Sequence, residues 1–228
     1  MTSIAENLAD LHSLIRDFER RYKRPENSVR LLAVSKRQSA ESIRAAHATG
    51  QVDFGENYLQ EATEKQQQLF DLPNLAWHFI GPIQSNKTRG IATSFQWVHG
   101  IDRGKIAQRL NDHRGNELPP LNCCIQVNLS GEESKSGVGI RDVTPLCELI
   151  TKLDRLKLRG LMAIPAPLAD FDSQRDCFRE LAECYGQLQS KYPGMDTLSM
   201  GMSDDFEAAI AAGATMIRLG TAVFGPRL

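Results

Sequence analysis

No stretch of this 228-residue sequence approaches the roughly 18 consecutive apolar residues that a membrane-spanning helix needs, so no α-helical membrane span is expected. The opening segment MTSIAENLADLHSLIRDFERRYKR carries acidic residues and lacks the apolar core and small-residue cleavage site of a signal peptide. An excess of charge is missing too. Lys and Arg number 27 against 28 Asp and Glu, a net charge of −1, which leaves no basic footprint for a nucleic acid. None of the five cysteines belongs to a C-x-x-C pair, and the five histidines are dispersed without metal-ligand spacing. These absences argue against a metal or redox centre and for reduced thiols in a cytoplasmic protein. The adjacent Cys123 and Cys124 are expected on opposite sides of a strand, and Cys177 and Cys184, two helical turns apart, in core positions.

Hydrophobic residues make up 41% of the chain and charged residues 24%, the balance of a soluble globular protein and too apolar for global disorder. In residues 3–24 the apolar side chains Ile4, Leu8, Leu11, Leu14, Ile15 and Phe18 fall on one helix face, and Pro25 ends that helix. A rhythm then begins. Short apolar, β-rich runs recur at 29–34, 52–55, 75–80, 95–101, 121–129, 158–164, 197–200 and 216–219. Helix-compatible segments fill the intervals at 39–49, 58–70, 84–92, 105–113, 143–153, 173–191 and 204–212.

Alternating β and α elements with no linker between them imply parallel strands joined by right-handed crossovers. Eight such units predict an α/β protein, a single (β/α)8 TIM barrel spanning residues 1–228, with segment 1–24 an extra N-terminal helix packed on it. The competing architecture is an open doubly wound sheet, whose common G-x-G-x-x-G fingerprint follows the first strand. Here that strand ends in Ser35-Lys36-Arg37-Gln38.

Reactive residues of a barrel gather at the C-terminal ends of its strands. Those ends carry Ser35-Lys36, Gly55-Glu56-Asn57, His78-Phe79-Ile80-Gly81, Gly201-Met202-Ser203 and Arg218-Leu219-Gly220-Thr221. Lys36 stands where partial desolvation lowers an amine's pKa and frees it to attack an aldehyde, although a solvated loop lysine or a phosphate-binding charge fits the same position. Loops after strands seven and eight often form a phosphate cup. There Gly220 lets backbone N–H groups approach an anion, while Ser203 and Thr221 add hydroxyls. Ser203 equally suits the N-cap of the next helix, and Gly220 a plain turn. Arg218 lies inside an apolar strand and needs a buried acceptor, either a structural carboxylate or a ligand ring nitrogen. His78 is an acid/base candidate by position or a structural hydrogen-bonder.

Six stretches, in order along nearly the whole chain, carry a resemblance. AVSK at 33–36, FGENYLQE at 54–61, HFIGPIQSNK at 78–87, SKSG at 134–137, LSMGMSDD at 198–205 and RLGTAVFG at 218–225 resemble the pyridoxal phosphate homeostasis proteins. The resemblance implies an alanine racemase N-terminal domain-like barrel (PLP fold type III) that holds pyridoxal 5′-phosphate (PLP) as a Schiff base on Lys36. By position, Ser203, Gly220 and Thr221 match the phosphate contacts, Arg218 faces the pyridine nitrogen, and Asn57 meets the ring edge. It further implies a carrier or buffer in PLP and vitamin B6 homeostasis rather than an enzyme, for which PLP-dependent apoenzymes are candidate recipients. The near-neutral charge and the missing second domain lead one to expect a monomer, and the cysteine usage a cytoplasmic protein.

Two features bear on turnover. An arginine at the pyridine nitrogen disfavours its protonation, so a delocalised carbanion is poorly stabilised, although racemases of this fold tolerate such an arginine. The sequence also stops at Leu228, which leaves no room for the C-terminal β domain through which racemases of this fold supply a second base. A PLP-dependent amino acid racemase-like enzyme is the alternative, and a barrel aldolase using Lys36 on a sugar phosphate is a third reading.

Overall fold

Local chemistry sets the first helix. The computed structural model describes residues 2–131 and 136–225, and in it helix α1 (Ile4–Arg21) opens on Ser3. The Ser3 hydroxyl accepts the Glu6 N–H at 3.2 Å, while the Glu6 carboxylate accepts the Ser3 N–H at 2.7 Å. This capping box satisfies two donors that a helix start leaves orphaned. Leu8, Leu11, Ile15 and Phe18 form the buried stripe, and Leu14 stays exposed beside it. The helix packs against α2 (Ala40–His47), α8 (Phe206–Ala212) and α9 (Thr221–Phe224). Asn7 Nδ2 donates to the Val223 carbonyl at 3.0 Å, which ties α1 to α9.

The eight strands are β1 (Arg30–Val34), β2 (Asp53–Glu56), β3 (Ala76–Phe79), β4 (Trp97–Ile101), β5 (Leu121–Val127), β6 (Leu156–Ala163), β7 (Thr197–Ser199) and β8 (Met216–Leu219). They pair in sequence order, all parallel, and β8 closes on β1 through the register Arg30–Met216 to Ala33–Leu219. Closure settles the architecture as the barrel, not the open sheet. The crossovers are α2, α3 (Leu59–Gln68), α4 (Thr88–Ser94), α5 (Gly104–His113), α6 (Val143–Ile150), α7 (Phe171–Lys191) and α8, with a short 3₁₀ turn at Ile140–Asp142. Among the described residues no helix is long and apolar enough to cross a membrane.

Strand alternation sorts the side chains into two layers. Cys123 and Ile125 join the large core between strands and helices, whereas Cys124 joins Trp97 and Met162 in a separate interior cluster. The adjacent cysteines therefore do face opposite sides. The interior is not filled by branched aliphatic residues alone, as is usual for this fold. His78, His99, Ser199 and Arg218 are all buried.

Several boundaries differ from the sequence reading. The α4 segment begins at Thr88 rather than at residue 84, because residues 84–87 form a turn closed by Lys87 N–H on the Gln84 carbonyl at 3.0 Å. Likewise α8 begins at Phe206 rather than at 204, after a turn in which Asp205 Oδ1 accepts the Met202 N–H at 2.6 Å. Helix α9 was not foreseen, since four residues carry no periodic signal. Cys177 and Cys184 are half-buried rather than core residues. The buried stripe of α7 runs through Phe178, Leu181, Tyr185 and Leu188, which leaves both thiols on its flank.

Candidate functional site

The chain leaves β1 at Val34 and enters a gripped turn. Ser35 is fully buried; its N–H donates to the Gly55 carbonyl at 3.0 Å and its hydroxyl to Glu56 Oε1 at 2.7 Å. From α3, Lys65 Nζ donates to the Ser35 carbonyl at 2.7 Å, to Glu56 Oε1 at 2.8 Å and to Glu61 Oε1 at 2.6 Å. Those three bonds use every proton of its ammonium group. Glu61 Oε1 also accepts the Arg37 N–H, and Arg37 sits in the left-handed region at φ +60°. The main chain is thus held on both sides of Lys36. Burial pushes the Glu56 carboxyl above its ordinary value, and the hydrogen bond and charge of Lys65 pull it back only in part.

Asn57 follows Glu56 directly, and its buried Oδ1 has no hydrogen-bond partner. Its main chain is set by close packing: a Cβ on Gly81 would lie 2.4 Å from the Asn57 carbonyl oxygen, so only glycine fits there. On the far side Arg218 donates from Nη1 to Ser199 Oγ at 2.9 Å and from Nη2 to the Ala163 carbonyl at 2.8 Å. The acceptor that this buried arginine needed is therefore a hydroxyl and a carbonyl. Burial lowers its pKa to about 10, which keeps it a cation at neutral pH.

The remaining groups come from the β7 and β8 loops. Ser203 is exposed and is not the cap of α8, whose N-cap position is Asp205. Gly220 takes the N-cap position of α9, where a Cβ would stand 3.3 Å from the Val34 carbonyl oxygen. The first N–H groups of any helix have no acceptor within it, and here they belong to the start of α9 at Thr221.

Lys36, Asn57, Ser203, Arg218, Gly220 and Thr221 all line one cavity of about 170 Å³. All six residues singled out from the sequence are brought together. Val34, Ile80, Ile164 and Met202 complete the wall and were not singled out. The end of a strand run was their available signal, and it marks Ile80 and Ile164 equally well. Nothing in the sequence pointed to Lys65, a polar residue on a polar helix. His78 is not in the cavity: it is buried in the barrel interior, stacked on Trp97 with ring centroids 5.2 Å apart. Ser134 and Lys135 of the SKSG stretch lie outside the described residues. The cavity thus combines an amine, a buried guanidinium, two hydroxyls, a helix start and apolar walls. That set suits a small planar ligand bearing an anionic group and a reactive carbonyl.

Residues 7–227 match the alanine racemase N-terminal domain family. Over its whole length the chain is 57% identical to a Pseudomonas aeruginosa protein and 50% identical to an Escherichia coli K12 protein, spanning 97% and 98% of them. Both are named pyridoxal phosphate homeostasis protein. The chain belongs to the pyridoxal phosphate homeostasis family. Among solved structures it resembles PipY of Synechococcus elongatus, at 38% identity over 98% of this chain and 100% of that one. The TM-score is 0.87 to PipY without PLP and 0.82 to PipY with PLP bound. Alanine racemase of Corynebacterium glutamicum aligns at 18% identity and TM-score 0.68, over 98% of this chain and 60% of the racemase, a likeness of fold.

Proposed function

We propose that this chain binds pyridoxal 5′-phosphate covalently through Lys36 and contributes to intracellular PLP and vitamin B6 homeostasis as a non-catalytic carrier or buffer. The observation that carries this reading is the convergence of Lys36, Arg218 and the start of α9 on one cavity. PLP supplies an aldehyde that condenses with an amine, on an electron-withdrawing ring that also carries a phosphate. Lys36 would hold the group through that aldehyde, its amine nitrogen replacing the carbonyl oxygen, which would be released as water. Ser203, Thr221 and the N–H groups around Gly220 would hold the phosphate. The buried Asn57 Oδ1, lacking a partner in the protein, offers an acceptor at the ring edge.

Two features of the site support carriage over turnover. Arg218 is a cation that would disfavour protonation of a pyridine nitrogen placed beside it, the opposite of the carboxylate used where a carbanion must be delocalised. Among the described residues, the cavity wall also carries no carboxylate, imidazole, phenol or thiol to act as a second base. Chemical relatedness extends the reading: the two relatives named above are themselves named for PLP homeostasis, and PipY has been solved with PLP bound. Residues 1–228 act in this reading as one PLP-binding unit, a cytoplasmic monomer whose recipients are PLP-dependent apoenzymes. The C-x-x-C pairs of a redox or disulfide framework are missing from the sequence, which suits a reducing compartment.

The test is the visible spectrum of the purified protein with added PLP, before and after borohydride, followed by peptide mapping. Absorption that is lost in Lys36→Ala, with the reduced adduct on Lys36, is the expected result. A protein that stays colourless with PLP overturns the reading. Racemisation of alanine or serine that disappears in Lys36→Ala overturns its non-catalytic half.

A further inference from the structure

Five polar side chains form one unbroken line through the barrel interior. Asp53, the first residue of β2, accepts at Oδ1 from His78 Nε2 at 2.9 Å. His78 Nδ1 lies 3.0 Å from His99 Nε2, and His99 Nδ1 lies 3.1 Å from Ser199 Oγ. Ser199 Oγ in turn accepts from Arg218 Nη1 at 2.9 Å. The line runs from the start of a strand to the residue that lines the cavity.

Its two ends force its direction. A guanidinium only donates and a carboxylate only accepts. Asp53 only accepts, so His78 carries its proton on Nε2, and as a neutral ring it leaves Nδ1 bare to accept from His99 Nε2. A neutral His99 then has a bare Nδ1, which accepts the Ser199 hydroxyl proton while the Ser199 oxygen accepts from Arg218. With both rings neutral, all four hydrogen bonds carry their protons the same way. The groups around the rings agree: burial lowers both imidazoles, and the positive charges of Arg218 and Arg30 press the same way on His99. Asp53 pulls His78 the other way without outweighing burial.

A line of this kind is expensive to bury unless each member is satisfied, and aliphatic residues are the ordinary filling of a barrel. Here it ends on the guanidinium that, among the described residues, lines the cavity wall. Arg218 has a long side chain with many rotamers, and Ser199 and Ala163 give it two fixed acceptors that orient its plane. We infer that Ser199, His99, His78 and Asp53 are positioning residues for Arg218, and that the forced direction of their hydrogen bonds keeps its remaining N–H groups aimed at the ring nitrogen of the bound cofactor. This rests on the PLP-binding reading above. Ser199 is the decisive link, because its oxygen serves Arg218 while its proton serves His99.

The experiment has two arms. In wild-type protein labelled with 15N-histidine at pH 7, both His78 and His99 are expected to show the Nε2–H tautomer; an Nδ1–H or doubly protonated ring at either position overturns the inference. With PLP itself as the probe, Ser199→Ala is expected to raise Kd about tenfold, a lost hydrogen bond to a charged group, and to shift the visible maximum. Ser199→Thr, which keeps the hydroxyl, restores both. Wild-type binding beside an unchanged Kd and spectrum in Ser199→Ala overturns this inference and leaves the functional reading standing. A wild type with both rings Nε2–H that fails to bind PLP overturns the functional reading and, with it, the role given to Arg218. If Ser199→Ala does not fold, the wild-type tautomers still decide.

Discussion

Lys65 Nζ lies 2.7 Å from the carbonyl oxygen of Ser35, the residue immediately before Lys36. Through Glu61 the same ammonium group also holds the N–H of Arg37, the residue immediately after. A helix-borne lysine therefore fixes the turn that carries Lys36, and Glu56, which shares the cluster, leads straight into Asn57. The backbone on both sides of Lys36 is set by charged groups that are not part of the cavity lining.

Replacing Lys65 by Met is expected to cost about 3–5 kcal/mol, since removing one partner of a buried ion pair strands the other charge. The stranded group is Glu56, whose side chain is fully buried. The double variant Lys65→Met/Glu56→Leu should recover part of the loss, because neither charge is then buried. Urea unfolding of the two variants checks this, and a single variant as stable as wild type would refute it. PLP affinity should fall with the single substitution.

Acid should destabilise the fold through the two interior histidines. Burial holds the pKa values of His78 and His99 below 6.5 in the folded state, so the unfolded chain binds more protons as pH falls through 6.5. Stability is then complete above 6.5 and is lost below it, by up to about 2.7 kcal/mol per pH unit for two protons. Glu56 acts in the opposite sense, because its raised carboxyl pKa lets the folded state take up a proton before the unfolded chain does as pH falls. Unfolding free energies measured at pH 7.0, 6.0 and 5.5 test the sign. A flat profile across that range would sink the prediction.

Two glycine substitutions should separate. At Gly81 an added methyl meets the Asn57 carbonyl oxygen at 2.4 Å, whereas at Gly186, within α7, it meets nothing within 4 Å. Gly81→Ala should destabilise by about 1–3 kcal/mol through overpacking and weaken PLP binding by displacing Asn57. Gly186→Ala should be neutral or stabilise by up to about 1 kcal/mol through helix propensity. Thermal unfolding and PLP titration of both variants decide the matter; equal Tm values would contradict it.

Thiol reactivity should follow burial. Burial pushes the Cys123 thiol well above its ordinary value and those of Cys124 and Cys147 up to about 12. These three should resist a disulfide reagent at pH 8 until the protein unfolds, while the half-buried Cys177 reacts in the native state. Mass-spectrometric mapping of modified residues provides the check. Native labelling of Cys123 or Cys124 would show that the barrel opens more readily than its packing implies.

Much of the fold was legible because it depends on patterns that repeat. The 3.6-residue spacing of Leu8, Leu11, Ile15 and Phe18 marked α1, and alternation correctly split Cys123 from Cys124. The α7 thiols were misjudged because helical spacing gives a periodicity but not the direction of the buried stripe, which contacts alone decide. The α8 start was misjudged because it is set by the turn that Asp205 Oδ1 closes on the Met202 N–H, a local geometry the sequence pattern does not show.

For the candidate site, strand-end positions in a barrel, joined to the family resemblance, named Lys36, Asn57, Ser203, Arg218, Gly220 and Thr221 from the sequence, and the fold places all six around one cavity. Tertiary structure alone decided what holds them. The Lys65 grip spans 30 residues and the line from Asp53 to Arg218 draws on β2, β3, β4, β7 and β8. Each of those residues is locally unremarkable, and a hydrogen bond between them exists only because the closed barrel brings side-chain atoms of different strands within about 3 Å, in an interior where a buried polar group is costly without a partner.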